Sequence, residues 1–253
     1  MNLICAATLP ASIASAPRMR VVEDFVEMWK RLSLILGVFN CEWEDFATWV
    51  EFDGSESSVP LRGTDFVDAK AMFERRTKAG VTDVTVVNCS ADPAWKLSVR
   101  IDSRIGRSSG VLIRPGGSGA FEDHEPPSDL IRQDQMSDIT KVLVDVWRPI
   151  SCAWINPQHN TSQKPSLKFG PNPWRSRMEW TTSLGWCTYL DTAVVPVSAS
   201  VEWPEGVVAE KYSSGIMIRI GDSPSDVNLA QITAVRKALG WPHVSSDGLG
   251  QRI

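Results

Sequence analysis

The side chains that could do chemistry are few and scattered. The three histidines, His124, His159 and His243, each lie in or beside a predicted loop or near the chain end. No two of them have the H-x-x-x-H or H-E-x-x-H spacing that places two imidazoles on one zinc ion. The sequence also lacks a G-x-S-x-G nucleophile elbow, which disfavours an α/β-hydrolase. We therefore find no recognisable catalytic motif.

Two loop segments could in principle hold an ion. Residues 122–125 read Glu-Asp-His-Glu, but consecutive loop residues seldom all point at one ion, so a solvated acidic loop is favoured over a weak cation site. Residues 115–119 read Pro-Gly-Gly-Ser-Gly. This loop lacks the Lys-Ser/Thr ending of a phosphate loop and does not open directly into a helix. We predict no metal site and no cofactor.

The cysteines indicate free thiols. Their number is odd and no C-x-x-C pair occurs, which disfavours a zinc ribbon or a thioredoxin-like site and suits a reducing compartment. Two of them, Cys152 and Cys187, are predicted to be buried small hydrophobic residues outside any nucleophile context. The full set is Cys5, Cys41, Cys89, Cys152 and Cys187.

The most unusual candidate surface is an acidic stretch punctuated by tryptophan, residues 41–60, with six acids and no Lys or Arg. One interpretation is a solvated face whose aromatic side chains pack inward. The other is a negative surface with aromatic anchors that suits a basic protein partner, because complementary charge speeds encounter. We predict as partner-binding residues Glu42, Trp43, Glu44, Asp45, Trp49, Glu51, Asp53 and Glu56.

The composition is that of a globular protein with a substantial core. The 253 residues are 43% hydrophobic and 22% charged, with a net charge of −4. An acidic balance argues against a nucleic-acid backbone as the main ligand. No apolar run reaches the roughly 18 residues of a membrane span. Because no basic residue precedes the apolar part of residues 1–17, a secretory signal is disfavoured there, and the segment is left open as a tail of uncertain order.

Hydrophobic periodicity predicts an α+β fold in which antiparallel strands carry helices packed on one face. The strand at 95–101 alternates strictly between apolar and polar residues. Helices are predicted over 21–36, 64–79, 128–147 and 225–239, and strands over 81–88, 95–101, 110–114, 186–190, 194–201, 207–212 and 216–220.

A short internal sequence repeat, called the echo below, suggests a duplication. Residues 108–116 (SSGVLIRPG) resemble residues 213–221 (SSGIMIRIG), and each precedes a predicted helix. We predict a single domain over 18–253 that contains two related strand–strand–helix units, about 64–150 and 178–242. Arg114 and Arg219 occupy equivalent places in the echo. They could bind an anion, although pairing with a nearby carboxylate is favoured.

The segment Leu184-Gly185-Trp186-Cys187-Thr188-Tyr189-Leu190 resembles the G-W-x-x-Y-L segment of immunity proteins from bacterial polymorphic toxin systems. The pattern downstream, residues 213–222 followed by a final helix, is also similar to that family. The resemblance covers mainly residues 180–240 and is closest to the group paired with restriction-endonuclease-fold toxins.

That resemblance implies a cytoplasmic protein without catalysis, which binds and neutralises a nuclease effector of a type VI secretion system. It transfers no catalytic residues. Gly185, Trp186, Tyr189 and Leu190 match its motif, and we interpret them as strand and core residues. Two other functions stay open at this point: a hydrolase that uses loop carboxylates such as Glu122 and Asp123, and a generic regulatory binding module.

Overall fold

One antiparallel sheet runs through most of the described chain. The structure, a computed structural model, describes residues 3–37, 43–45, 62–63, 66–78, 80–88, 95–104, 108–115, 131–156, 159, 163, 182–241, 243–244 and 250–251. The sheet strands are β1 (Ile4–Leu9), β2 (Trp43–Asp45), β3 (Arg62–Gly63), β4 (Thr77–Lys78), β5 (Val81–Asn88), β6 (Trp95–Asp102), β7 (Ser109–Pro115), β8 (Ser151–Ile155), β9 (Cys187–Asp191), β10 (Val207–Tyr212) and β11 (Gly215–Ile220). A separate pair comprises β12 (His243–Val244) and β13 (Gly250–Gln251).

The strand order is β10-β11-β9-β8-β1-β7-β6-β5-β2-β3, with β4 beside β5, and every neighbouring pair is antiparallel. Alternating burial explains the clearest strands: Trp95, Leu97, Val99 and Ile101 of β6 are all buried, and the residues between them are half-buried or exposed. Side chains of a strand alternate between the two faces, so this pattern fixes the register.

The first strand occupies the middle of the sheet. β1 pairs with β7 on one side and with β8 on the other, so residues 4–9 are an interior strand and not a terminal tail. Its alternate residues Cys5, Ala7 and Leu9 are buried. The small side chains of β1 let the helices approach the sheet closely.

The helices are α1 (Arg18–Ile35), α2 (Phe66–Arg76), α3 (Gln133–Trp147) and α4 (Leu229–Ala238), with short 3-10 turns at Ala11–Ser15 and Pro224–Asp226. α1, α2 and α3 share one core on the face of the sheet that carries Cys5, Leu97 and Ile113. Within that core Phe25 meets Phe73 edge to face, with ring centroids 5.4 Å apart. The indole Nε1 of Trp147 in α3 donates to Met28 Sδ in α1 over 3.1 Å.

The last helix packs on the other face. Adjacent β9 residues separate the two cores, because Tyr189 belongs to the α1–α3 core whereas Leu190 belongs to a second one. This second core joins Leu190 and Ile218 of the sheet to Ile232 and Val235 of α4. The α+β class is thus confirmed, but the described helices lie on both faces of the sheet.

Local capping accounts for the start of α4. The Asn228 side chain accepts a hydrogen bond from the Gln231 amide, and the Gln231 side chain accepts one from the Asn228 amide, each over 3.0 Å. Such a reciprocal box satisfies two amides that the first helical turn leaves without partners. After the helix, Gly240 adopts a φ of 67°, as a helix-ending glycine does.

The two echoed segments have different surroundings in the sheet. β7 lies beside the central β1, whereas β11 is separated from the centre by β9 and β8. Within the echo, Gly110 pairs with Thr8 of β1, and Gly215 pairs with Asp191 of β9. The sequence similarity therefore reflects two β-hairpins, each leading towards a helix, at different distances from the sheet centre.

The structure differs from the sequence-based assignment at one predicted strand and at one strand that was not predicted. Residues 194–201, predicted as a strand, form turns and irregular backbone between β9 and β10. Pro196 within that stretch has no amide to donate to a ladder, which disfavours a strand interior. β8 was not predicted, because all five of its residues are buried and its sequence shows no alternation.

Proline substitutions should distinguish the central strand from the outer one. Ala6→Pro removes an amide from β1, which has a partner on both sides, and should lower the unfolding free energy by about 3 kcal/mol or more. Ala209→Pro lies in the outer strand β10 and should cost far less. Denaturant unfolding of both variants measures the difference, and equal stabilities would contradict the central placement of β1.

Candidate functional site

The three described thiols are buried in the core. Cys5, Cys152 and Cys187 are free and fully inside the protein. Cys5 Sγ and Cys152 Sγ are 3.7 Å apart. Burial, aided by the neighbouring Cys152, raises the pKa of the Cys5 thiol well above its usual value, and burial raises that of Cys187 to about 12. Because all three thiols are buried, they have little access to a substrate or a metal ion, and the buried-residue prediction for Cys152 and Cys187 is confirmed.

The described ranges contain no group of three metal-ligating side chains. His159 is half-buried in the described part of the chain, and His243 belongs to β12. His124, with its neighbours Glu122, Asp123 and Glu125, lies outside the described residues, as does the glycine-rich run 116–119. The cation-site alternative for that loop therefore stays a prediction.

The tightest charged cluster is structural. The carboxylate of Asp102, at the end of β6, accepts from Arg104 Nη2 at 2.7 Å and from Arg100 Nη2 at 3.1 Å. These bonds, with Arg104 contributing most, hold the pKa of Asp102 well below its usual range. The backbone amide of Asp102 donates to Ser109 Oγ across the hairpin. With its oxygens committed to two guanidinium groups, this carboxylate fixes the β6–β7 connection.

The two arginines of the echo have different environments. Arg114 is half-buried on β7, and its cross-strand neighbour on β6 is another cation, Lys96. Burial, together with Arg114, lowers the pKa of Lys96. Arg219 on β11 is exposed, and its cross-strand neighbours are Cys187 and Val208. The structure therefore does not bring Arg114 and Arg219 together into one anion site.

The segment that carries the family resemblance lies in the core. Trp186, Tyr189 and Leu190 are each no more than 2% exposed. A side chain on Gly185 would overlap the carbonyl oxygen of Trp154 in β8, so only glycine fits there. The amide of Trp186 donates to that same carbonyl over 3.0 Å. All four residues are therefore core residues, as predicted, but only Tyr189 and Leu190 lie in a strand, because β9 begins at Cys187.

A second set of bonds anchors the start of the segment. Gln163, which is 2% exposed, accepts from the Leu184 amide and donates to the Leu184 carbonyl, each over 2.8 Å. Further along, the Tyr189 hydroxyl lies 3.1 Å from Ser214 Oγ in the β10–β11 turn. The segment thus positions the hairpin that forms the outer end of the sheet.

The predicted partner surface is described only in part. Trp43, Glu44 and Asp45 form β2, which pairs with β5 and with the two-residue strand β3 near one end of the sheet. The remaining predicted residues lie outside the described part of the chain, namely Glu42, Trp49, Glu51, Asp53 and Glu56. Their assignment as partner-binding residues stays a prediction.

A second acidic region occupies the opposite end of the sheet. Residues 191–226 hold six carboxylates and two cations, a net charge of −4 that equals the net charge of the entire chain. Six of these eight charged side chains flank or lie on β10 and β11: Asp191, Glu202, Glu205, Glu210, Lys211 and Arg219. All but the half-buried Asp191 are exposed. We call residues 191–226 the acidic end of the sheet.

A groove opens beside this acidic end. It measures about 470 Å³ and lies under the connection between β9 and β10. Val197, Val201 and Trp203 contribute apolar wall, and Ser213 and Ser214 contribute hydroxyl groups from the hairpin turn. Its lining also includes Lys211 and Ile216, which pair across β10 and β11. Apolar walls with a few polar groups at the rim suit a side chain of a partner.

The sequence did not single out this region, because its acids are spread over 36 positions with ordinary strand residues between them. Only the sheet order places them together at an outer strand. A charge count over sliding windows is the signal that could have found it.

No family model matches the sequence, and no curated protein matches it either. None of the helices in the described ranges combines the length and the apolar composition needed to cross a membrane.

Thiol reactivity provides a direct test of the burial of Cys5, Cys152 and Cys187. In a Cys41→Ser/Cys89→Ser variant, the three remaining thiols should resist an aromatic disulfide reagent in the native protein, since all three are buried. All should react once the protein is unfolded in denaturant. The absorbance of the released thiolate gives the number of thiols that have reacted. One fast-reacting thiol in the native state would contradict the burial of all three and would indicate a reactive cysteine.

Proposed function

We propose that the chain is an immunity protein, which binds a basic protein toxin stoichiometrically and so protects the producing cell. The toxin class is a nuclease effector delivered by type VI secretion, and the site of action is the cytoplasm. The resemblance at residues 185–190 motivates the family, and the acidic end of the sheet motivates the kind of partner.

The observation that carries the proposal is the charge distribution. Residues 191–226 carry a net charge of −4, and five of their six carboxylate side chains are exposed at one end of the sheet. A nuclease must attract phosphate groups, so its substrate-binding surface is cationic. A concentrated negative surface raises the association rate for such a partner and occupies the cleft that DNA would otherwise enter.

The buried chemistry of the described chain is consistent with this role. Its three described thiols are buried and its tightest ion cluster is structural. A protein that inhibits a toxin by occupying its substrate cleft needs a rigid binding surface and no catalytic groups, because a preorganised surface loses less entropy on binding. The Gly185–Leu190 segment contributes rigidity by anchoring β9 against β8 and by contacting the β10–β11 turn.

The first test is co-expression with the product of the adjacent upstream gene. The neighbour alone should kill the host, and this chain should rescue growth without any turnover of the toxin. A toxic neighbour that this chain fails to neutralise, or rescue that accompanies covalent destruction of the toxin, would contradict the proposal.

The acidic stretch 41–60 gives a second test, on its proposed contact role. Reversing three charges in Glu42→Lys/Glu44→Lys/Asp45→Lys should weaken binding of the toxin roughly tenfold at low salt and increase its sensitivity to salt. Calorimetric titration measures the affinity. A Glu23→Lys/Glu27→Lys variant, altered on an exposed part of α1, controls for charge reversal at a site outside this stretch. Equal affinity for the triple variant and the wild type would remove this surface from the proposal.

A further inference from the structure

The outer strand at the acidic end is long and regular. β10 runs for six residues, and all six pair with β11 without a bulge. At the other end of the sheet the outer described strands, β3 and β4, have two residues each. Among the described strands, β10 is therefore the long strand with a partner on one side only.

The geometry of the hairpin determines which backbone groups face outward. A two-residue turn, Ser213-Ser214, joins β10 to β11, and Ser213 adopts a φ of 51°. In two-residue hairpins the flanking residues, Tyr212 and Gly215, form the first hydrogen-bonded pair, and such pairs then alternate along the ladder. Ala209 and Lys211 consequently direct their amide and carbonyl groups away from β11.

Features that usually protect an outer strand are largely absent from β10. Natural sheets block such strands with proline, bulges, lysines or very short length. β10 contains no proline and one lysine, and Val208 is 50% exposed on its surface. Such a strand is a template for one more strand.

We propose that an extended, basic segment of the partner protein adds to β10 as a further strand of the sheet. The inference rests on the proposed function, because it names how the same acidic end would hold the toxin. Backbone hydrogen bonds to Ala209 and Lys211 supply affinity, and side-chain pockets supply selectivity, as in other cases of strand addition.

The charges around β10 select a basic segment. Glu202, Glu205 and Glu210 are all exposed near the strand, and Lys211 is the cation on β10 itself. Lysine and arginine on an added strand would lie beside these carboxylates, and opposite charges on neighbouring strands stabilise pairing. The groove beside Lys211 and Ile216 would receive an apolar side chain of the same segment.

The same charges disfavour a second copy of this chain as the occupant. Pairing two β10 strands would bring together two acidic ends, each with a net charge of −4. Like charges opposed across strands are destabilising. A basic partner removes that repulsion.

The experiment uses the product of the adjacent upstream gene, inactivated in its own catalytic site, as the probe. Ala209→Pro removes an outward amide of β10 and should weaken binding at least tenfold in a calorimetric titration. Leu229→Pro is the control, since Leu229 is an exposed first residue of α4, where proline is tolerated. Its affinity should equal that of the wild type.

A variant that keeps the backbone intact guards against a folding defect in Ala209→Pro. Glu205→Arg/Glu210→Arg changes two exposed side chains and should slow association at least tenfold at low salt, with circular dichroism and unfolding unchanged. Loss of binding by both variants supports strand addition at β10.

The contrary outcomes are distinct. If wild-type protein binds the probe and both β10 variants bind equally well, the inference fails and the proposed function stands. The same conclusion follows if Glu44→Lys/Asp45→Lys abolishes binding while the β10 variants do not affect it. If the wild type alone forms a dimer that Ala209→Pro dissociates, β10 pairs with a second copy. If the wild type neither binds nor neutralises the probe, the proposed function fails and the inference with it.

Discussion

The pairing of β1 with two strands from distant parts of the chain holds the sheet together. β1 makes five residue pairs with β7 and five with β8, so residues 4–9 bridge elements that lie a hundred or more positions further along the sequence. Without β1, the hairpins β5–β6–β7 and the strands β8, β9, β11 and β10 would be two separate sheets. Contacts of such long sequence separation close large loops, and folding of the sheet is therefore expected to be slow.

Both layers of helices depend on this joined sheet. α1 and α3 contact each other through Met28 and Trp147, and α3 also packs on β1, β8 and β9. A further link runs from α1 to the outer hairpin, since Asp145 of α3 accepts from Arg31 at 2.7 Å and from the Tyr212 hydroxyl at 2.9 Å. The acidic end of the sheet is consequently attached to the main core and not carried on a loose hairpin.

Much of the regular structure follows from local pattern. The three- and four-residue spacing of Val22, Phe25, Trp29 and Leu32 predicts α1, and all four of those side chains are buried. β8 and β1 escaped prediction for a physical reason: β8 is buried on both faces and β1 is built largely from small residues, so neither has the apolar alternation of a half-buried strand. α4 packs on the second face of the sheet, to which Leu190 of β9 contributes. No local sequence pattern shows which face of the sheet a helix will cover.

The candidate site likewise has some features that the sequence could predict and others that it could not. The core role of Gly185 and Trp186, just before β9, was predictable, because a glycine beside a large aromatic residue signals close packing. The exposure of β10 was not, because whether a strand lies at the outside of a sheet depends on the order of all the other strands.

Amide hydrogen exchange tests the central claim most directly, in the free protein and in its complex with the inactivated product of the adjacent gene. The account predicts that the amides of Ile4–Leu9 are among the slowest to exchange in both states, while those of Ala209 and Lys211 exchange quickly in the free protein and slowly in the complex. Rapid exchange throughout β1, or unchanged exchange at Ala209 and Lys211 on binding, would contradict it.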